Sequence, residues 1–114
     1  LKIKRMDLIS LKSLNFEEID YKRFPCLAIS IKAAKQGGGA PAVLNGANET
    51  LVDSFLAEEI NFLDISKNLH SVMQEFYKTI SLNEVPSFLK HISTIEDAVK
   101  ADKWGREQAL RCMS

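Results

Sequence analysis

Residues 37–49 read Gly-Gly-Gly-Ala-Pro-Ala-Val-Leu-Asn-Gly-Ala-Asn-Glu, and this stretch decides how the chain is organised. The glycine run lets the backbone turn, and Pro41 follows it at a position typical of the first turn of a helix. The stretch therefore predicts a tight corner and then a helix. Asn45, Gly46 and Asn48 lie inside that helix although each is a poor helix former, by about 0.5–1 kcal/mol relative to alanine. We expect packing or binding to require them there.

The apolar spacing on either side of this corner predicts a bundle of about four helices. The first spans about residues 25–36 and ends at Gly37, which is suited to a left-handed C′ position. The second spans about 41–58. The third begins after Asp64 or Ser66 as N-cap and ends near residue 80. The last spans about 94–112 and begins at a capping box formed by Ser93 and Glu96.

Each predicted helix carries an apolar stripe that should face the core. The stripes are Phe24, Leu27, Ile31 and Ala34 in the first helix; Leu44, Ala47, Leu51 and Phe55, supported by Val43 and Val52, in the second; Ile65, Leu69, Val72, Met73, Phe76, Tyr77 and Ile80 in the third; and Ile95, Ala98, Val99, Ala109, Cys112 and Met113 in the last. The small residues near Gly46 would let another backbone approach closely. Phe88, Leu89 and Ile92 should fold a loop back onto the core, and Trp104 should pack between elements.

The N-terminal residues differ from the rest, because apolar and polar side chains alternate in places with a period near two. Residues 8–13 form the best predicted strand. Such a strand has no partner in this chain, so it would pair with a missing sheet or with a second copy. The predicted fold is mainly α, with an extended arm at 1–20 and a helical bundle domain at 21–114.

Composition and charge exclude several classes of function. The 15 basic and 15 acidic residues cancel and are dispersed, which gives no basic patch for nucleic acid or an anionic membrane. No apolar run is long enough to span a bilayer. Cys26 and Cys112, the two cysteines, are more typical of free thiols in a reducing compartment than of a disulfide scaffold, so we expect a cytoplasmic protein. The chain begins with leucine, which suggests a piece of a longer protein.

The sequence contains no catalytic, cofactor-binding or metal-binding residue that we can assign. The glycine run lacks the strand-turn-helix setting of a dinucleotide fingerprint, and His70 and His91 are interpreted as surface or structural residues. Asn45, Asn48 and Glu49 share one face of the second helix; they either brace a neighbouring element or contact a ligand. Asp102 and Arg106 are spaced for an i,i+4 ion pair.

Several segments, taken in order, closely resemble the C-terminal region of 1-deoxy-D-xylulose 5-phosphate reductoisomerases. The most specific is Ala-Pro-Ala-Val-Leu-Asn-Gly-Ala-Asn-Glu at 40–49, and the others lie at residues 14–16, 20–21, 24–28, 54–56, 60–65, 94–97 and 101–107. Together they cover nearly the whole chain. The chain departs from the family pattern at three glycines. The family usually has alanine where this chain has Gly46 and Gly105, and it often has threonine or serine where this chain has Gly39.

The resemblance implies one part of a larger enzyme, in which residues 1–20 would be the end of the central catalytic domain and a linker, and residues 21–114 the C-terminal helical bundle. The intact enzymes use NADPH and a divalent metal, Mg or Mn, to convert 1-deoxy-D-xylulose 5-phosphate into 2-C-methyl-D-erythritol 4-phosphate. NADPH and the metal belong to upstream domains, so this bundle would be structural and inactive alone. Its partners would be the remainder of the enzyme and, in the intact protein, a second subunit. The alternative is a free-standing helical protein-interaction module.

Overall fold

A computed structural model of the chain describes residues 25–113, which form four long helices and one short one. They are α1 (Pro25–Gln36), α2 (Ala40–Leu56), α3 (Phe62–Ile80), α4 (Ser87–Lys90) and α5 (Ile95–Met113). The mainly α fold is confirmed, and α1 has the predicted bounds. The predicted strand at 8–13 and the rest of the arm lie outside the described residues. Within residues 25–113, no helix is long and apolar enough to cross a membrane.

The glycine run forms the expected corner between α1 and α2. Gly37 and Gly38 have φ of +68° and +56°, in the left-handed region that residues other than glycine rarely adopt. The Gly37 amide donates to the Ala33 carbonyl at 3.1 Å and ends α1. The Gly39 amide donates at 3.0 Å to the carbonyl of Leu89 in α4. A Cβ on Gly39 would lie 2.7 Å from that same oxygen, so the corner is shaped to receive α4.

The centre of the core is the apolar stripe of α3, as the spacing predicted. Ile65, Leu69, Val72, Met73 and Phe76 are all buried, whereas Tyr77 and Ile80 lie at its margin. Trp104 packs edge-on against Phe76 with ring centroids 6.1 Å apart, which confirms its predicted packing role. Leu89 also enters the core, and α4 therefore closes one side of the bundle.

Helices α2 and α5 cross with their backbones in contact. A Cβ built on Gly46 would lie 2.1 Å from the Asp102 carbonyl oxygen, and one on Gly105 would lie 2.2 Å from the Val43 carbonyl oxygen. Each glycine thus makes room for the main chain of the opposite helix. The unfavourable helix propensity of both residues is the cost of this close approach.

The predicted stripe of α1 is wrong in orientation, and that of α5 is wrong at its N-terminal end. In α1 the buried side is formed by Ala33 with Cys26 and Ile29 beside it, whereas Leu27 is 43% exposed and Ala34 is also exposed. Apolar residues surround most of α1, so spacing alone could not select the buried side.

In α5 the buried line is Ala101, Gly105 and Ala109. Ile95 and Val99, predicted to face inward, are 85% and 60% exposed. Farther along the helix the prediction is confirmed, because Ala109 is buried and Cys112 and Met113 pack against the core. The side of α5 that faces α2 carries the smallest side chains, because the two backbones must lie against each other there. A pattern of hydrophobic residues does not detect that requirement.

Two helix starts are displaced from their predicted caps. Helix α3 begins after Asn61, whose amide donates to Asp64 Oδ2 at 2.9 Å, so Asp64 is an acceptor inside the first turn and not the cap itself. At α5, Thr94 Oγ1 accepts from the Asp97 amide at 3.1 Å, and Asp97 Oδ2 accepts from the Thr94 amide at 3.3 Å. The capping box is therefore one residue later than the predicted Ser93 and Glu96.

Replacing Gly46 with alanine should destabilise the domain. The clash with the α5 backbone should outweigh the gain in helix propensity and lower the free energy of unfolding by about 1–2 kcal/mol. Denaturant unfolding measures this, with Asn48→Ala on the exposed side of α2 as the matched control. The double variant G46A/G105A should cost less than the sum of the single variants, because the first methyl group already separates the helices. A stabilised G46A would contradict the close crossing.

Candidate functional site

The polar face predicted on α2 meets two charged residues of α5. Asn45 Nδ2 donates to Asp102 Oδ2 at 3.1 Å and lies 3.5 Å from Glu49 Oε1. Arg106 donates from Nε to Asp102 Oδ1 at 2.6 Å and from a terminal nitrogen to Glu49 Oε2. These four residues, which we call the α2–α5 polar cluster, connect the two helices beside the glycine crossing.

Within the polar cluster, the donors of Arg106 and Asn45 pair with the carboxylates of Asp102 and Glu49. Hydrogen bonding to Asp102, and then to Glu49, raises the pKa of the Arg106 guanidinium above its usual range, so it stays charged. The side chain of Arg106 is 39% exposed and that of Glu49 is 52% exposed, and water therefore screens the pair. Both carboxylates already accept from Arg106. This arrangement is typical of a brace between helices, which is one of the two interpretations of Asn45 and Glu49.

Asn48 is not part of the polar cluster. It is exposed and lines a shallow hollow between α1 and α2 together with Cys26, Ser30 and Asn45. Burial raises the pKa of the Cys26 thiol, so it is protonated at neutral pH and is a poor nucleophile. The three predicted polar residues of α2 therefore divide into a cross-helix pair and one exposed amide.

In residues 25–113 there is no group of three His, Cys, Asp or Glu side chains that could hold a metal ion. His70 and His91 are both exposed, in agreement with their interpretation as surface residues. Cys112 is a free thiol whose pKa is raised by burial and by the charge of Glu75. The predicted Asp102–Arg106 ion pair is present, but it serves the polar cluster.

A family model described as the DXP reductoisomerase C-terminal domain matches residues 2–108. The chain belongs to this family. The match includes all of α1 to α4, the α2–α5 polar cluster and most of α5, which agrees with the resemblance seen in the sequence.

Relatives of known name agree with the family. The chain is 40% identical over 107 residues to the 1-deoxy-D-xylulose 5-phosphate reductoisomerase of Paraburkholderia phytofirmans, covering 94% of this chain and 24% of the relative. It is 36% identical to the enzyme of Microcystis aeruginosa, covering 95% and 25%. The chain therefore spans about a quarter of the length of the curated relatives it matches.

A solved structure confirms the fold of this family member. The reductoisomerase from Zymomonas mobilis, determined in complex with NADPH, superposes with a TM-score of 0.68 at 35% identity. The superposition covers 95% of this chain and 26% of that one. Helices α1–α5 thus correspond to one portion of a larger molecule.

Truncating Arg106 in this reductoisomerase-family domain should weaken the connection between α2 and α5. We expect Arg106→Ala to lower the free energy of unfolding by about 0.5–1 kcal/mol, a small effect because water screens the ion pairs. Thermal unfolding at low and high salt measures it, and the loss should shrink as salt rises. The exposed neighbour Glu107, changed to alanine, is the control. A double-mutant cycle with Glu49→Ala should show coupling; strictly additive losses would contradict the cross-helix ion pair.

Proposed function

We propose that this chain is the C-terminal helical domain of an NADPH-dependent 1-deoxy-D-xylulose 5-phosphate reductoisomerase, and that it supports the catalytic domains without supplying catalytic residues. The intact enzyme would form 2-C-methyl-D-erythritol 4-phosphate with the help of Mg²⁺ or Mn²⁺. The observation that carries the proposal is the match of residues 2–108 to the C-terminal domain of that enzyme family. Relatives of that name, of which the chain spans about a quarter, support it.

The chemistry of the described residues supports a structural role. A divalent metal prefers several converging oxygen ligands, and residues 25–113 do not group three candidate ligands. Glu49 and Asp102, the carboxylates that come together, both accept from Arg106. The side chains of residues 25–113 therefore do not fit a metal site, and we derive no catalytic step from them. NADPH and the metal would bind upstream.

One exposed apolar strip offers a surface for the remainder of the enzyme. Ile95 and Val99 lie one turn apart on the outer side of α5, and Ile92 is 37% exposed just before that helix. Exposed apolar side chains that lie close together are typical of contact surfaces. We propose that Ile92, Ile95 and Val99 contact the catalytic portion of the same polypeptide. The intact enzyme would be a cytoplasmic homodimer, in keeping with the two free thiols of this chain.

The same strip also favours the second candidate, a free-standing helical interaction module. The two functions differ in what the native gene encodes. An upstream dinucleotide-binding segment and a cluster of acidic metal ligands would identify the enzyme, whereas a native start immediately before Leu1 would identify the module.

The 114-residue chain should be inactive by itself. We expect no NADPH oxidation with 1-deoxy-D-xylulose 5-phosphate in the presence of Mg²⁺ or Mn²⁺, and no quenching or enhancement of NADPH fluorescence on mixing. The longer gene product, assayed in parallel, should turn over substrate. Activity from the 114 residues alone would overturn the structural role, and an inactive full-length product would overturn the enzyme assignment.

Changing Ile95 to aspartate should distinguish a contact surface from an ordinary exposed position. Because Ile95 is 85% exposed in this domain, we expect I95D to leave the melting temperature of the 114-residue chain unchanged. In the longer gene product it should lower the melting temperature by several degrees, since a charge would be buried in the contact. Lys100→Asp, on an exposed position of the same helix, is the control. An equal effect of I95D in both proteins would contradict the proposed contact.

A further inference from the structure

We propose that residues 14–20 of this same chain dock in the groove between α1 and α3. The groove has two adjoining halves that share Ala28, Ile29 and His70. Pro25 lies at one end, and Tyr77 lines the other half. None of the functions proposed above uses this surface. Its apolar floor, its charge and its position each favour the segment that immediately precedes α1.

The floor of the groove is apolar. Ala28 and Ile29 of α1 line both halves, and Met73 of α3 contributes further along. The groove therefore presents apolar area to an occupant.

The rim of the groove carries positive charge. Lys67 borders one half and Lys32 the other, where its Nζ lies 4.3 Å from the centre of the Tyr77 ring. No carboxylate lines either half in the described part of the chain. An occupant with apolar side chains and negative charge would thus complement both the floor and the rim.

Residues 14–20 have that composition. They read Leu-Asn-Phe-Glu-Glu-Ile-Asp, with three apolar side chains, three carboxylates and no basic residue. Elsewhere before α1, basic residues are frequent: residues 2–5 contain three, and residues 22 and 23 are Lys and Arg. The acidic and apolar stretch is therefore the part of the preceding chain that suits the groove.

The connection allows the segment to reach the groove. Because Pro25 both begins α1 and lines the groove, the preceding chain must emerge at its end. The distance along α1 from Pro25 to Lys32 is roughly 10 Å at the rise of an α-helix, and seven extended residues span about 23 Å. To dock there, the chain would have to reverse direction between residue 20 and Pro25, and residues 21–24 are enough for such a turn. Residues 14–20 would then run antiparallel to α1.

Methyl NMR of the 114-residue chain tests the docking directly. We expect nuclear Overhauser contacts from the methyl groups of Leu14 or Ile19 to those of Ala28, Ile29 or Met73. A mixed sample of labelled and unlabelled chains identifies the molecule that supplies the segment. Contacts within one molecule support the proposal. Contacts between molecules would overturn it in favour of a second copy, and the lack of any contact would overturn it outright.

A charge exchange tests the proposed complementarity. Lys67→Glu should lower the equilibrium constant for docking about threefold, the size expected for an exposed ion pair, and E17K/E18K in the same chain should recover it. Lys100→Glu on α5, outside the groove, is the matched control and should have no effect. The methyl spectra of Leu51 and Leu69 in the core report that each variant is folded. Equal docking of the native chain and the Lys67→Glu variant would contradict the electrostatic part of the proposal.

Discussion

The main-chain contact between α2 and α5 is the constraint on which the bundle depends. Gly46 lies against the Asp102 carbonyl and Gly105 against the Val43 carbonyl, so the two helix axes approach as closely as their backbones permit. This close approach limits the size of the other side chains between the two helices. Ala47 and Ala101 are fully buried there, since larger side chains would hold the helices apart. It also brings Asn45 and Glu49 within reach of Asp102 and Arg106. The polar cluster is thus a consequence of glycine on both helices.

The sequence predicted the elements well because their signals are local. Pro41, the glycine run and the 3.6-residue spacing of α3 each act within a few residues of chain, and the corresponding boundaries are correct or nearly so. The buried side of α1 and that of the N-terminal half of α5 were predicted wrongly, since they depend on partners distant in sequence. In α5 the decisive property is the small size of Ala101, Gly105 and Ala109, and it is invisible to a pattern that counts hydrophobic residues.

The candidate site shows the same division. Asn45 and Glu49 could be identified as a polar face, and Asp102 with Arg106 as an ion pair, because both relations lie within one helix. The two pairs meet because α2 and α5 cross at that point. A single sequence does not show which residues of two crossing helices lie opposite each other. One signal in the sequence is that Asp102 lies between Val99 and Ala109 of the predicted apolar stripe, and a charged residue within such a stripe indicates a partner at an interface. Asn48 has the same spacing pattern yet faces a hollow beside α1.

The polar cluster also bears on when this domain can fold. Its cross-helix hydrogen bonds join residues of α2 to residues of α5 that lie 57 positions later in the sequence. During synthesis the chain emerges from its N-terminal end, so α2 and α3 are complete well before Arg106 appears. Until then the Gly46 side of α2 has no backbone to lie against and stays open to water or to other nascent chains. Helix α5 acts as the closing element, and the bundle should reach its native packing only after α5 has left the ribosome.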